Sequence, residues 1–159
     1  HTQIMISVNV FSEEKAWSKR LKNKDLFFKS ICKAFPKKYH FFNKKVSFSL
    51  LLSNNKNIKR LNKDFRDKNA STDVLSFPLY KKIKISKSTY LGDVVMSYDY
   101  IDKPKSQDIR SFKKKVTKIF IHGFLHLLGF DHIKNNDYSK MLKEENRLYK
   151  LVKSKVKLY

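Results

Sequence analysis

The chain has 159 residues, a usual size for one domain, and its 41% hydrophobic residues, among them 13 Phe and 8 Tyr, can fill a core. With one cysteine and no run of 18 apolar residues, the sequence excludes an intrachain disulfide and a membrane-spanning helix. The net charge of +22 indicates a polyanionic partner, either nucleic acid or an anionic membrane surface. The Lys-rich, Gly-poor composition also indicates a biased nucleotide composition of the coding sequence, which would account for part of this charge.

Strands and helices alternate along the predicted secondary structure, without an internal repeat or an obvious linker. Apolar runs with a period of two indicate strands, and apolar residues at helical spacing indicate helices. In chain order the sequence predicts a strand over 4–10, a helix over 13–35 closed by Pro36, a strand over 46–52, a helix over 56–65, strands over 73–77 and 92–97 joined by a Lys-rich excursion over 81–87, and helices over 107–128 and 137–152.

This order predicts an α+β fold, with residues 1–159 in a single domain and a mixed sheet of about four strands packed with helices around a central helix at 107–128. The strand at 46–52 is so apolar that we expect it to be buried on both faces. One of residues 53–55 can cap the next helix, which delivers Arg66 at its end. Cys32 lies in an apolar stretch and is predicted to be buried and reduced.

The strongest functional signal is the segment His122-Gly-Phe-Leu-His126-Leu-Leu-Gly129-Phe-Asp131-His132, which holds three of the five histidines. Four helical residues turn through about 400°, so His122 and His126 share one face, a turn apart. Gly129 can adopt the left-handed conformation that ends a helix and lets His132 approach from the side. Three neutral imidazoles with an open fourth position are typical of a catalytic zinc centre, whereas structural zinc normally has four protein ligands.

The same histidine spacing occurs in metzincin peptidases, whose first histidine is followed by a glutamate that acts as general base. Here that residue is Gly123, so the group that activates water for peptide cleavage is missing. Because Gly inside a helix costs about 1 kcal/mol relative to Ala, we expect a neighbouring element or a substrate to approach the helix closely at this point. The pattern therefore indicates a zinc hydrolase whose chemistry differs from peptide cleavage.

The helix at 107–128 carries its histidines at the border of its apolar face. At 100° per residue, His122 and His126 lie about 90° from the centre of the apolar stripe. The last turns, which include Phe124 and Leu125, are apolar all round. We therefore expect this half of the helix to be buried and to hold the histidines rigidly at the floor of a cleft.

Two further segments lie upstream: Asn62-Lys-Asp-Phe-Arg66-Asp-Lys-Asn-Ala-Ser-Thr72-Asp73-Val-Leu-Ser-Phe77-Pro78 and Leu91-Gly92-Asp93-Val-Val-Met-Ser97. Together with the histidine segment, they closely resemble the bacterial YbeY family of rRNA maturation factors, which are single-strand-specific, zinc-dependent endoribonucleases. The three motifs span roughly residues 54–132, and the N-terminal third fits more loosely. The resemblance implies His122, His126 and His132 as zinc ligands, Arg66 as the functionally essential arginine, and rRNA and the small ribosomal subunit as partners.

The predicted chemistry assigns a role to each charged group. Zinc bound by three histidines lowers the pKa of a bound water to about 7 or polarises a phosphoryl oxygen. Arg66 is predicted to be catalytic, because a guanidinium fork matches the charge that phosphodiester cleavage concentrates on the non-bridging oxygens; a helix-end surface charge is the alternative. Asp131 is a second candidate catalytic residue, which either orients an imidazole, the role we favour, or accepts a proton.

Other residues in and near these motifs are expected to have no direct catalytic role. Phe130 stands where many relatives carry Tyr, so that hydroxyl has no role here. Three polar residues, Thr72, Asp73 and Asp93, are predicted to shape loops near the site; a carboxylate that acts through a water molecule is the alternative for the two aspartates.

Two features of the sequence concern contacts with the RNA strand. Lys115 falls on the histidine face about two turns before His122, where it could contact RNA, although a solvated lysine is commoner. The run at 39–42, Tyr-His-Phe-Phe between lysines, fits either unstacked bases over a basic groove or ordinary core packing.

The sequence thus predicts a cytoplasmic, single-strand-specific, zinc-dependent endoribonuclease acting on rRNA during ribosome maturation, with no membrane or DNA partner. The cytoplasmic expectation depends on the lack of an apolar signal-peptide segment at the start of the sequence. Two alternatives remain open. A metzincin-like peptidase would need the base that Gly123 removes, and a ribosome-assembly factor with a non-catalytic zinc ion would bind RNA without cutting it.

Overall fold

The computed structural model describes residues 6–131 and 135–157. These residues form four strands and six helices, with a short 3-10 helix at Lys37–Tyr39 between the second helix and the second strand. The elements are β1 (Ser7–Ser12), α1 (Trp17–Arg20), α2 (Lys24–Lys33), β2 (Lys45–Ser53), α3 (Asn55–Arg66), β3 (Val74–Pro78), β4 (Ser88–Ser97), α4 (Tyr98–Ile101), α5 (Ile109–Leu127) and α6 (Asn135–Lys155).

The four strands form one mixed sheet in the order β1-β2-β4-β3. Strand β2 runs parallel to both β1 and β4, whereas β3 runs antiparallel to β4 at the edge. Strand β3 precedes β4 in the chain but lies at the edge of the sheet, and β4 lies between β3 and β2. This arrangement confirms the predicted α+β fold with a mixed sheet of four strands.

The main core lies between one face of the sheet and helices α2 and α5. Phe48 of β2 stacks against Phe120 and Phe124 of α5, and Phe120 also contacts Phe28 of α2. Cys32 of α2 is buried in the same core, as predicted, and burial raises the pKa of its thiol. Helix α5 contacts β3, β4 and α6, which confirms its central position.

The second face of the sheet is only partly covered. Helix α3 places Ile58 against Leu75 and Val95 there, and leaves the rest of the face open. The prediction that the strand at 46–52 is buried on both faces is therefore wrong. Along β2, buried residues mostly alternate with half-buried ones, because one face meets the main core and the other meets a single helix.

The predicted helix over 13–35 is wrong as one element, because the chain forms α1 and α2 instead. Leu21 ends α1 in an extended conformation, and the Asn23 side chain accepts a hydrogen bond from the Leu26 amide (3.1 Å) that starts α2. Such an N-cap stabilises a new helix start by about 1 kcal/mol. The short α1 buries Trp17, whose indole N–H donates to the Ser53 carbonyl (2.9 Å).

The other predicted elements are present with shifted ends, and residues 4 and 5 of the predicted strand over 4–10 lie outside the described residues. Strand β4 begins at Ser88 rather than at residue 92, and its pairing with β2 changes register between Ser47 and Ser49. Asn54 is the residue that caps α3, since its side chain accepts from the Asn57 amide (2.9 Å). Helix α3 ends at Arg66, as predicted. Among the described residues, no helix combines the length and apolar character needed to cross a membrane.

Candidate metal centre

His122 and His126 lie on the border of the buried face of α5, as predicted, and both imidazoles are half-buried. Their Nε2 atoms are 3.1 Å apart. Two nitrogens that bind one zinc ion tetrahedrally at about 2.0–2.1 Å lie about 3.3 Å apart, so the pair fits a shared ion with little adjustment. The same separation also allows an N–H···N hydrogen bond between the rings.

Gly123 lets the sheet approach the helix directly beside His122. A β-carbon at this position would lie 2.7 Å from Cγ1 of Val94 and 3.3 Å from both the Ser76 hydroxyl and Cγ2 of Val74. The Ser76 hydroxyl donates to the Gly123 carbonyl (3.0 Å). The expected close approach is thus confirmed, and the approaching element is the sheet.

Gly129 ends the histidine helix, as predicted. Its φ of +94° lies in the region that favours glycine. The Gly129 amide donates to the His126 carbonyl and the Phe130 amide to the Leu125 carbonyl, each at 3.1 Å, so the last turn is closed by backbone hydrogen bonds. The third predicted ligand, His132, lies outside the described residues.

Glu145 of α6 contacts the other nitrogen of His122, a contact that the sequence analysis missed. Its Oε1 meets Nδ1 of His122, and the carboxylate is largely screened from solvent. A carboxylate on Nδ1 favours the Nδ1–H tautomer, in which Nε2 is the nitrogen that carries the lone pair a metal ion accepts. One sequence signal could have identified it. The apolar positions 141, 148 and 152 of α6 form a stripe, and the intervening members at 144 and 145 are carboxylates.

The neighbouring carboxylate, Glu144, turns to the opposite side and anchors α6. It accepts hydrogen bonds from Arg147 (2.7 and 3.1 Å) and Lys38 (2.7 Å), and from the hydroxyl of buried Tyr39. Burial raises the pKa of Glu144, but these hydrogen bonds more than offset it and bring the pKa to about 2. The network fixes the helix that carries Glu145 to the 3-10 helix at Lys37–Tyr39.

Both histidines open onto a cleft of about 740 Å³ between β3, the loop before it and the end of α5. Arg66 also lines this cleft, and its Nη2 donates to the Ser76 carbonyl (2.6 Å), with the guanidinium 5.8 Å from the Phe77 ring centre. The remaining lining is mixed: the cations Lys68 and Lys81, the carboxylates Asp73 and Asp131, the rings of Tyr80 and Phe130, and smaller residues including Thr72.

Two of the residues considered from sequence lie outside the cleft. Asp93 is on the other face of the sheet, where it accepts from the Tyr90 hydroxyl (2.5 Å) and lines a separate apolar cavity. Lys115 donates to the carbonyls of Ile101 (3.1 Å) and Lys103 (2.6 Å), at the end of α4. The structure therefore brings His122, His126, Arg66 and Asp131 together but directs Lys115 elsewhere.

The aromatic run at 39–42 is divided between core and surface. Tyr39 is buried against Phe35 and Phe124, so core packing is the correct interpretation for this residue. Phe42 keeps 40% of its surface exposed and contacts the ring of His40 edge-on.

Bacterial endoribonucleases of one family are similar to the chain, one of them over nearly its whole length. Endoribonuclease YbeY of Pelagibacter ubique (strain HTCC1062) is 60% identical over 152 residues, which cover 96% of this chain and 99% of the relative. The protein of the same name from Persephonella marina is 34% identical over 126 residues, covering 76% and 82% of the two chains. The solution structure of a Thermotoga maritima protein has the same fold, with a TM-score of 0.54, 24% identity, and coverage of 91% of this chain and 88% of that chain.

The family profile described as endoribonuclease YbeY matches residues 7–153, which include all four strands and the histidine segment. The chain therefore belongs to the YbeY family of endoribonucleases.

Proposed function

We propose that this endoribonuclease depends on one zinc ion, cleaves single-stranded RNA, and acts on rRNA during maturation of the small ribosomal subunit. The observation that carries the proposal is the pair of Nε2 atoms of His122 and His126, which opens onto the same cleft as the Arg66 guanidinium. A metal-binding group and a phosphate-binding group on one cleft are what phosphodiester cleavage requires. We place the activity in the cytoplasm, where rRNA is assembled into subunits.

His122, His126 and His132 would hold the ion, with Glu145 keeping His122 in the correct tautomer. When bound, zinc supplies Lewis-acid charge and activates water at neutral pH. These residues suit a zinc ion because neutral imidazole nitrogens are common zinc ligands. The 3.1 Å separation of the two placed nitrogens is compatible with that role.

Arg66 would stabilise the negative charge that develops on the phosphate during cleavage. Its contact with the Ser76 carbonyl uses Nη2 and leaves other N–H donors of the guanidinium for a substrate. Ser76 in turn contacts Gly123, the residue after His122, so Arg66 and the histidine helix are attached to the same residue of β3. Asp131 would orient an imidazole from the edge of the cleft, and acceptance of a proton remains its second candidate role.

The preference for single strands would follow from the mixed lining of the cleft. The rings of Tyr80 and Phe130 offer faces on which unstacked bases can lie, and Lys68 and Lys81 offer charge for the phosphates. A rigid duplex keeps its bases stacked and paired, so it cannot use these rings.

The test is a substrate panel with and without a chelator. We expect the protein to cleave a single-stranded RNA, to lose that activity after chelation and to recover it with zinc, and to leave duplex RNA and an unfolded protein substrate intact. Cleavage that survives complete zinc removal would contradict the proposal. RNA binding without any cleavage would instead favour an assembly factor with a non-catalytic ion, and protein cleavage would favour a peptidase.

A further inference from the structure

A row of basic residues leads along α5 to the histidines. Arg110, Lys114 and Lys118 recur every four residues before His122. Residues at this spacing lie one above the other on a helix and drift by about 40° per step. From Arg110 to His122 the drift adds up to about 120°, so the row winds around α5 toward the cleft over a length of about 18 Å at 1.5 Å per residue.

Helix α6 runs antiparallel beside this row, and three pairs of facing residues define its register. Lys153 lies close enough to Lys114 for their charges to interact, the Lys118 ammonium lies 4.8 Å from the Tyr149 ring centre, and Glu145 contacts His122. We call the surface formed by Arg110, Lys114, Lys118 and Lys153 the basic ridge.

Among the described residues, no ion pair includes a cation of the basic ridge. Asp108, the N-cap of α5, accepts from the Ser111 amide (2.7 Å), and its charge offsets part of the positive charge of Arg110 and Lys114. The charge of Arg110, followed by burial and the charge of Lys153, lowers the pKa of Lys114. Four cations this close together repel one another, and a bound polyanion would relieve that repulsion.

We propose that the basic ridge binds the phosphates of single-stranded RNA whose cleaved bond lies in the cleft. The inference rests on the proposed function, because it extends the RNA path away from that site. Successive cations are about 6 Å apart along α5, so the three ridge residues of this helix span about 12 Å and accommodate at most about four nucleotides at 3.4 Å or more each. Tyr149 supports the ridge by holding the Lys118 ammonium over its ring.

The experiment compares two triple variants by fluorescence anisotropy with single-stranded RNAs of 5 and 15 nucleotides, on the full chain with chelator present to block metal-dependent cleavage. The ridge variant is Lys114→Gln, Lys118→Gln, Lys153→Gln. The control variant is Lys56→Gln, Lys59→Gln, Lys63→Gln, which removes the same charge from exposed positions of α3, on the opposite face of the sheet from α5.

We expect the ridge variant to lose about 10-fold to 100-fold of its affinity for the 15-mer, so that longer RNA no longer binds better than the 5-mer. Its log affinity should also depend less on log salt, with a slope smaller by about 2, or 0.7 for each of three contacts. The control variant should change the 15-mer affinity less than threefold.

Equal affinities of the ridge and control variants for the 15-mer would overturn the inference. So would a ridge variant that keeps RNA affinity but loses binding to phosphatidylserine vesicles, since that result would assign the surface to a membrane. Failure of this inference can be distinguished from failure of the proposed function, because RNA binding tests the ridge and RNA cleavage tests the function. A protein that binds long RNA through the ridge without cutting it would contradict the function and leave the ridge in place.

Discussion

Arg66 is the residue that separates an enzyme from an RNA-binding protein in this cleft. If it stabilises transition-state charge, Arg66→Ala should keep the fold, the zinc content and most of the RNA affinity, because the many lysines contribute to ground-state binding. The rate of cleavage should fall by about 100-fold to 1,000-fold. Arg66→Lys should recover little, since an ammonium lacks the bidentate fork.

Single-turnover cleavage at saturating protein measures this effect without interference from binding. Lys63→Ala is a suitable control, because Lys63 is an exposed cation on the same helix that does not line the cleft. Near-normal cleavage by Arg66→Ala would exclude the proposed role. Near-normal cleavage by Arg66→Lys would show that a positive charge is sufficient at this position, without the bidentate geometry of a guanidinium.

Glu145 tests whether the contact on Nδ1 of His122 positions a metal ligand. Glu145→Ala should weaken zinc binding about 10-fold to 100-fold, whereas Glu145→Gln should retain most of it because the amide oxygen still accepts from Nδ1–H. Zinc affinity by competition with a chelating dye gives the first measurement. Nitrogen-15 NMR of the zinc-free protein gives the second, and should show His122 as the Nδ1–H tautomer in the parent and a mixture in Glu145→Ala.

The control for this prediction is the adjacent residue, Glu144, whose carboxylate faces Lys38, Tyr39 and Arg147. Glu144→Gln should leave zinc affinity and the His122 tautomer unchanged in the folded protein. If Glu145→Ala binds zinc as tightly as the parent, Glu145 does not position His122 as a metal ligand.

At the scale of elements, the sequence predicted the helices and strands that build the cleft better than those that support it. The end of α3 at Arg66 and the end of the histidine helix before Gly129 were predictable, because caps and left-handed glycines are local signals. The break between α1 and α2 was not, since an apolar pattern over 13–35 gives the same periodicity for one helix or two.

Periodicity could mark Glu145 as a carboxylate in the packed stripe of α6, but it could not identify His122 as its partner. The two residues are 23 positions apart in the chain, and only the packing of α6 on α5 brings them together. The role of Gly123 could be predicted only in part. Its helical position predicted a close approach, but the sequence did not distinguish the sheet from a substrate as the approaching group.

The anchor of α6 predicts how stability should depend on pH. The pKa of Glu144 is about 2 in the folded protein against a usual 4.5, so its contribution is present above pH 4.5 and is lost as the pH falls toward 2. Glu144→Gln should lower the free energy of unfolding by about 2–3 kcal/mol at pH 7, and by much less near pH 2.

Urea unfolding of the parent and variant at pH 7, 4 and 2.5 measures this difference. Asp25→Asn is the control, because the Asp25–Lys29 pair is exposed and should contribute little at any pH. A difference between Glu144→Gln and the parent that stays constant from pH 7 to pH 2.5 would contradict the anchor.

At the scale of the whole molecule, charge was the least specific sequence signal. A net charge of +22 indicated a polyanion without saying where it would bind. The structure divides the basic residues among different surroundings: Lys68 and Lys81 in the cleft, Lys115 on the end of α4, and four cations on the basic ridge. Lys115 and the ridge residue Lys114 are adjacent in sequence, so helix rotation alone sends them to different surfaces.

The central claim is that three histidines hold one zinc ion that cleavage requires, and metal content is its most direct test. We expect about one zinc ion per chain in protein purified without added metal, and a parallel loss of zinc and of cleavage in His122→Ala, His126→Ala and His132→Ala, because all three ligands act together. Elemental analysis of the parent and these variants measures it. A variant among the three with full zinc content and full activity would contradict the account.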